Sequence, residues 1–139
     1  MNAGEESAAS RVAHVGADLL RAQLLAQGYG RALRYGIRRD RPDGSCCSFP
    51  SGHVVNAFAM ASVLERHFGR RAWPALALAS YVGGARLHED RHFLSDVVFG
   101  AALGSSIGWT IVGRHGRAEF ALLPVPVAGG IAVTVARLR

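Results

Sequence analysis

The sequence predicts an all-α fold, a helical bundle of about five helices, with a membrane setting favoured over a soluble one. Three observations point there. Half of the 139 residues are hydrophobic and only 19% are charged, with a mean hydropathy of +0.16. The apolar residues fall into long runs, with no convincing strand pattern among them. Charged residues gather in short turns between those runs.

Residues 1–9 read as a disordered lead, and 10–139 as a single domain. Met1 to Ala9 holds Glu5 and Glu6 but no basic cluster and no apolar core, so it does not read as a secretory signal. From Val12 to Ile37 the apolar residues Val12, Val15, Leu19, Ala22, Ala26, Tyr29 and Leu33 recur at three- and four-residue steps, the period of a helix. Gly28 and Gly30 allow that helix to be two pieces. Arg34, Arg38 and Arg41 would share one face if the helix continued. Pro42, Asp43 and Gly44 stop it and open a loop to Pro50.

Ser51 is placed to cap a second helix, Val54 to Leu64. The basic turn Arg66 to Arg71 leads to a third, Trp73 to Leu87. The polar stretch His88 to His92 precedes a fourth apolar run, Leu94 to Val112. A fifth, Phe120 to Ala136, carries Pro124 and Pro126 and is expected to be kinked. The last two runs, roughly 17–20 residues each, approach the length that crosses a bilayer. Gly100, Gly104 and Gly108 repeat at four-residue steps, which lets another helix approach closely.

Composition excludes several classes. All sixteen basic residues are arginine, and the formal net charge is +6. Aromatic residues make up only 8%, a poor supply for stacking on single strands, so nucleic acid is not expected as a partner. Two cysteines cannot form a disulfide scaffold or a four-cysteine zinc site. Cys46 and Cys47 read as loop residues rather than a redox pair. Seven of the arginines, Arg38, Arg39, Arg66, Arg70, Arg71, Arg114 and Arg117, read as solvated helix ends or lipid-headgroup contacts.

In an up-down bundle, three polar clusters fall at one end. They are Arg34 with Arg41, the run Pro50-Ser51-Gly52-His53, and Arg86 to Asp96. Guanidinium groups match phosphate oxygens in two-point contacts. The free N–H groups near Ser51 and Gly52, at a helix start, attract anions. One histidine can attack phosphorus while another protonates the leaving oxygen.

Arg34-x6-Arg41-Pro42, then Pro50-Ser51-Gly52-His53, then Arg86-x5-His92-x3-Asp96 resembles the type 2 phosphatidic acid phosphatase family. Bacterial class A acid phosphatases and vanadium haloperoxidases share the pattern. The resemblance spans roughly residues 15–113 and rests on three motifs in the family's order. It implies that His92 is the nucleophile, forming a phosphohistidine, and that Asp96 holds the far nitrogen of His92 and fixes its tautomer. It implies that His53 is the general acid and then the base that activates water. Arg41 and Arg86 would clamp the phosphate, Ser51 and the Gly52 N–H would add hydrogen bonds, and no metal or other cofactor would be needed.

Two positions depart from the family pattern. Arg34 stands where lysine is usual, and Ala85 where a serine is usual. Family members commonly have more helices ahead of the first motif. The short start here suits a minimal form, a truncated product or one subunit of a homo-oligomer.

The resemblance implies a phosphatase acting on a phosphomonoester or diphosphate, with a lipid phosphate favoured over a small phosphate ester. It would sit in a bacterial-type inner membrane, its site facing the extracytoplasmic side. Three rivals stand beside it. One is a non-catalytic membrane bundle that only binds a phosphate headgroup. Another is a vanadate-dependent haloperoxidase. The last is a zinc protease, since His88-Glu89-Asp90-Arg91-His92 fits H-E-x-x-H, with Asp96, His115 or Glu119 as third ligand.

Overall fold

Small residues set how closely the helices of this protein approach. In the computed structural model, residues 3–113, 120–127 and 130–137 are described, and side chains are described over 7–113. Among the described residues there are four α-helices: α1 (Ala3–Ile37), α2 (Gly52–Phe68), α3 (Trp73–His88) and α4 (Leu94–Gly113). A 3-10 turn, Gly69–Ala72, joins α2 to α3. A two-stranded antiparallel hairpin follows, β1 (Phe120–Val127) and β2 (Gly130–Arg137), in register from Phe120↔Arg137 to Val127↔Gly130.

The core sits between α1, α2 and α4. Ala22 and Ala26 from α1 meet Val55, Ala59 and Val63 from α2 and Leu103, Ile107 and Ile111 from α4, all buried. The α4 glycines make the α2–α4 contact. A Cβ at Gly104 would collide with the Val55 carbonyl oxygen and lie 2.9 Å from the Ala59 nitrogen. At Gly108 it would lie 2.6 Å from the Ala59 carbonyl oxygen, and at Gly100 3.1 Å from that of Ser51. These obstacles are backbone, so they cannot rotate away. Alanine gains about 1 kcal/mol over glycine in helix propensity, whereas overpacking of this kind costs about 1–3 kcal/mol. The clash wins, and Gly104→Ala is expected to lower the melting temperature. A thermal melt followed by circular dichroism checks this, and an unchanged or raised Tm contradicts it.

The structure corrects several sequence expectations. Residues 3–9 are helical, not a disordered lead. Gly28 and Gly30 do not break α1. The expected fifth helix, Phe120 to Ala136, is the hairpin. Two prolines two residues apart remove two helical N–H donors, and Val125, Val127, Ile131, Val133 and Val135 alternate as strands prefer. Only α4, among the described residues, is therefore long and apolar enough to cross a bilayer. The cysteines were expected to be unpaired, but the Cys46 and Cys47 sulfurs are bonded, 2.02 Å apart. Arg114, His115, Arg117 and Glu119 lie outside the described residues.

Candidate active site

Helix packing places the end of α1, the start of α2, the end of α3 and the start of α4 together, and the polar motifs stand at those ends. There Arg34, Arg41, His53, Arg86, Arg91 and His92 line one cavity of about 260 Å³. Each cation arrives by a different route. Arg34 comes from the last turn of α1. Arg41 does not extend that helix as expected, because α1 ends at Ile37 and the chain turns at Arg38, φ 49°. Instead Arg41 sits in a tight turn, its N–H donating to the Ser45 carbonyl oxygen at 2.7 Å and its own carbonyl accepting from Gly44 N–H at 2.9 Å. Asp43 braces the turn through the Ser45 N–H (2.9 Å) and hydroxyl (2.6 Å), which together hold its carboxyl below the usual value. Arg86 ends α3, where its Nη1 pairs with Glu89 Oε2 at 3.1 Å. Arg91, which the motifs did not single out, adds another guanidinium and lies 4.0 Å from Asp43 Oδ2. The Nε atoms of Arg34, Arg41 and Arg86 are buried and have no hydrogen-bond partner among the described residues.

Gly52 begins α2 and has a packing role. A Cβ there would collide with Nη2 of Arg34, so the missing side chain lets that guanidinium lie over the helix start. Ser51 occupies the N-cap position in extended conformation (φ −69°, ψ 105°), but its hydroxyl makes no capping bond. It is fully buried, and its Oγ has no partner among the described residues.

His92 is 5% exposed and stands two residues ahead of α4. Its Nδ1 lies 2.8 Å from the Ser48 carbonyl oxygen. A carbonyl only accepts, so Nδ1 carries the proton and the lone pair of the neutral ring is on Nε2. Asp96 was expected to make this contact. Its Oδ2 is 3.8 Å from Nδ1, beyond hydrogen-bond range. The reason is that His92 precedes the helix, so the i,i+4 spacing does not stack the two side chains as a helical turn would.

Asp96 is fully buried and acts one step away. Its Oδ2 accepts from the Ser48 hydroxyl and from Phe93 N–H (2.8 Å), and its Oδ1 accepts from Arg39 Nη1 at 3.0 Å. Arg39 also donates to Ser95 Oγ at 2.8 Å and lies over the Phe93 ring, 4.3 Å from its centroid. The Arg39 carbonyl in turn accepts from the Cys47 and Ser48 N–H groups at 2.9 and 2.7 Å. Arg39, expected to be a solvated helix end, thus anchors the buried carboxylate. The network Arg39–Asp96–Ser48 fixes the carbonyl that orients His92, and Ser51 N–H donates to the Asp96 carbonyl at 3.2 Å, tying α2 to α4.

Both imidazoles titrate below the ordinary histidine value. For His92 burial is the main cause, opposed by the Ser48 hydrogen bond and assisted by Arg41. For His53 burial is again first, followed by Arg86 and Arg34.

The H-E-x-x-H reading fails on geometry. That motif needs both histidines on one helix face, and α3 ends at His88. His88 is exposed, whereas His92 is buried against Ser48. The carboxylate of Asp96 is already taken by Arg39, Ser48 and Phe93.

Comparisons with known proteins agree with the motifs. A family model described as the PAP2 superfamily matches residues 18–119. A lipid A 1-phosphatase of Porphyromonas gingivalis is 40% identical over 89 residues, which is 60% of this chain and 20% of that protein. The match thus spans about a fifth of that curated relative's length. The crystal structure of a transmembrane PAP2-type phosphatidylglycerolphosphate phosphatase from Bacillus subtilis is similar in fold, with a TM-score of 0.52 and 24% identity, covering 84% of this chain and 72% of that one.

Proposed function

The chain belongs to the PAP2 superfamily, and from that premise we propose that it hydrolyses a phosphomonoester or diphosphate of a lipid through a phosphohistidine on His92. The observation that carries the reading is the convergence of Arg34, Arg41, Arg86, Arg91 and two histidines on one cavity. Within the described residues no carboxylate lines it, so a dianion meets only cations and imidazoles there.

In the first step His92 Nε2 attacks phosphorus. The N–P bond forms, the bond to the leaving oxygen breaks, and His53 gives its proton to that oxygen. Arg41 and Arg86 hold the equatorial oxygens as charge builds, with Arg34 and the Gly52 N–H beside them. In the second step His53 takes a proton from water, water oxygen bonds phosphorus, and the N–P bond breaks to release phosphate. Ser51, buried behind the helix start, supports the position of the Gly52 N–H in this scheme. Asp96 and Arg39 are positioning residues that act through Ser48. The arginines supply the neutralising charge, so the reaction proceeds without a metal.

The relatives are named for lipid phosphates and one as transmembrane, which favours a lipid substrate in a membrane. Outward apolar residues support the same setting. Leu94 (64% exposed), Val98 (59%) and Trp109 (42%) line one face of α4, and Leu20 and Leu24 stand outward on α1. Arg66, Arg70 and Arg71 lie at the end of α2 remote from the site, but Arg34, Arg38, Arg39, Arg41, Arg86 and Arg91 lie at the site end, so the arginine balance alone does not orient the bundle. The family resemblance supports a site on the extracytoplasmic side of a bacterial-type inner membrane. We take residues 10–139 as one domain, continuous with the first turns of α1 from Ala3.

The test is phosphate release from phosphatidic acid and p-nitrophenyl phosphate in detergent, with EDTA present, across pH. Turnover in EDTA is expected, and its loss to EDTA alone contradicts the scheme. The pH profile follows from the two imidazoles. His92 must be neutral, so kcat/KM falls as pH drops through its value. His53 must be protonated, so kcat/KM falls as pH rises through its own. Both lie below the ordinary 6.5, so the maximum is expected on the acid side of neutrality. A profile still rising above about pH 7 contradicts that assignment.

A further inference from the structure

The end of the bundle remote from the cavity carries its own set of arginines. Arg66 stands in the last turn of α2, Arg70 and Arg71 lie in the 3-10 turn, and all three are exposed. Two of them lie over indoles of α3 and α4. Arg66 Cζ is 5.9 Å from the centroid of the Trp109 ring, and Arg70 Cζ is 4.9 Å from that of Trp73. Both rings are open to the outside, Trp73 56% exposed and Trp109 42%. We infer that this end is a binding surface for anionic phospholipids, on which the Arg66 and Arg70 guanidiniums take headgroup phosphate oxygens in the leaflet opposite the catalytic end. This rests on the membrane setting proposed above and not on the phosphatase reaction.

Charge gives the first argument. None of the three arginines forms an ion pair with a described residue. At the catalytic end Arg39, Arg86 and Arg91 each have a carboxylate, from Asp96, Glu89 and Asp43. At the remote end the Asp18 carboxylate is buried and engaged by Arg21 and His67. Glu65 adjoins Arg66 on α2, but positions one apart on a helix do not face each other. Like charges gathered in one turn repel, and an external anion relieves that cost. The indole under each guanidinium also holds the cation in place before the anion arrives, which lowers the ordering cost of binding.

Depth gives the second. Arg66 stands thirteen residues along α2 from His53, and Trp73 thirteen along α3 from Arg86, a span of roughly 20 Å at 1.5 Å per residue. Trp109, fifteen residues along α4 from Leu94, falls at a similar level. The surface between that level and the catalytic end is apolar, with Met60, Leu78, Tyr81 and Val98 exposed. Arginine and tryptophan bordering an apolar band match a lipid interface, where indoles sit at headgroup level and long arginine side chains reach outward to the phosphates. A soluble polyanion would pair with the arginines but leave the indoles and the apolar band in water, so an acidic protein or a nucleic acid fits less well.

The experiment places the full chain in nanodiscs of phosphatidylcholine with and without phosphatidylglycerol and reads Tm. Excess vanadate is present in both, to keep the lipid out of the catalytic cavity. The anionic nanodiscs are expected to raise Tm by about 5 °C. Arg66→Gln and Arg70→Gln are each expected to lose about half of that shift, while Arg38→Gln, which removes the same charge from an exposed position at the catalytic end, keeps it. Because the two variants are made separately, one that misfolds leaves the other informative. An equal Tm in the two nanodiscs, a shift that both variants retain, or an equal loss in Arg38→Gln overturns the inference. Polyglutamate that stabilises the parent in neutral nanodiscs more than phosphatidylglycerol does would point to an acidic protein and overturn it as well. A chain that enters nanodiscs of neither composition contradicts the membrane setting itself, and the surface falls with it.

Discussion

His92→Ala is expected to remove turnover while leaving anion binding nearly intact. In the proposed reaction the imidazole forms the bond to phosphorus, so no other group completes the first step. Loss of a nucleophile in comparable sites costs about 10⁴-fold or more in kcat. The fold should survive. Among the described residues the ring's hydrogen bond goes to the Ser48 carbonyl, and the Asp96 network does not pass through the imidazole. Arg34, Arg41 and Arg86 remain around the cavity, so vanadate or inorganic phosphate should bind within a few-fold of the parent. The checks are the hydrolysis rate of p-nitrophenyl phosphate and the Kd of vanadate by calorimetry. A His92→Ala protein that turns over within about tenfold of the parent would remove His92 from the nucleophile's role. A parent that binds vanadate but never hydrolyses a phosphate ester would favour the binding-only bundle instead.

Arg41→Ala and Arg86→Ala are the second pair of large effects. Each guanidinium faces the cavity and is in place before the reaction, so charge that develops on the phosphoryl oxygens meets it without reorganisation. Removal of one such preorganised donor costs about 10²–10³ in rate, or about 2.7–4 kcal/mol. Each variant is expected in that range for kcat/KM, and the double variant is not expected to be additive, since both act on one group. Arg41→Ala should also raise the His92 value, because the Arg41 charge helps to lower it, and so move the acid limb of kcat/KM to higher pH. Glu89 pairs with Arg86 but is 48% exposed in its side chain, so Glu89→Ala should change the rate only a few-fold. Steady-state kinetics on purified variants of matched Tm measure all of these, and an unchanged kcat/KM in Arg41→Ala and Arg86→Ala ends the clamp assignment.

Most of the bundle could be read in the sequence because the information is local. Apolar periodicity and turn residues marked α1 to α4 to within a few residues except at the start of α1. The glycine ladder of α4 foretold a close helix contact, although only the structure shows α2 as its partner. Motif spacing brought Arg34, Arg41, His53, Arg86 and His92 to one end of the bundle. What could not be read depends on contacts between distant segments. Arg39 reaches Asp96 across 57 positions, and no spacing rule separates it from its equally exposed neighbour Arg38. Ser48 orients His92 through a backbone carbonyl, a group that every residue type carries. Its small buried hydroxyl was the available signal, two residues ahead of Pro50. The His92–Asp96 spacing suggested a helical turn, but α4 begins at Leu94. The final apolar run had the length of a helix, and only its paired prolines and β-branched alternation spoke for strands.

The central claim is that phosphorus becomes bonded to His92. It is tested most directly by quenching the enzyme during turnover of a ³²P-labelled phosphatidic acid and mapping the label by peptide mass spectrometry. The account predicts an acid-labile, base-stable phosphoramidate on His92, enriched in His53→Ala if water activation slows. Label on another residue, or turnover with no labelled protein at any quench time, would contradict it.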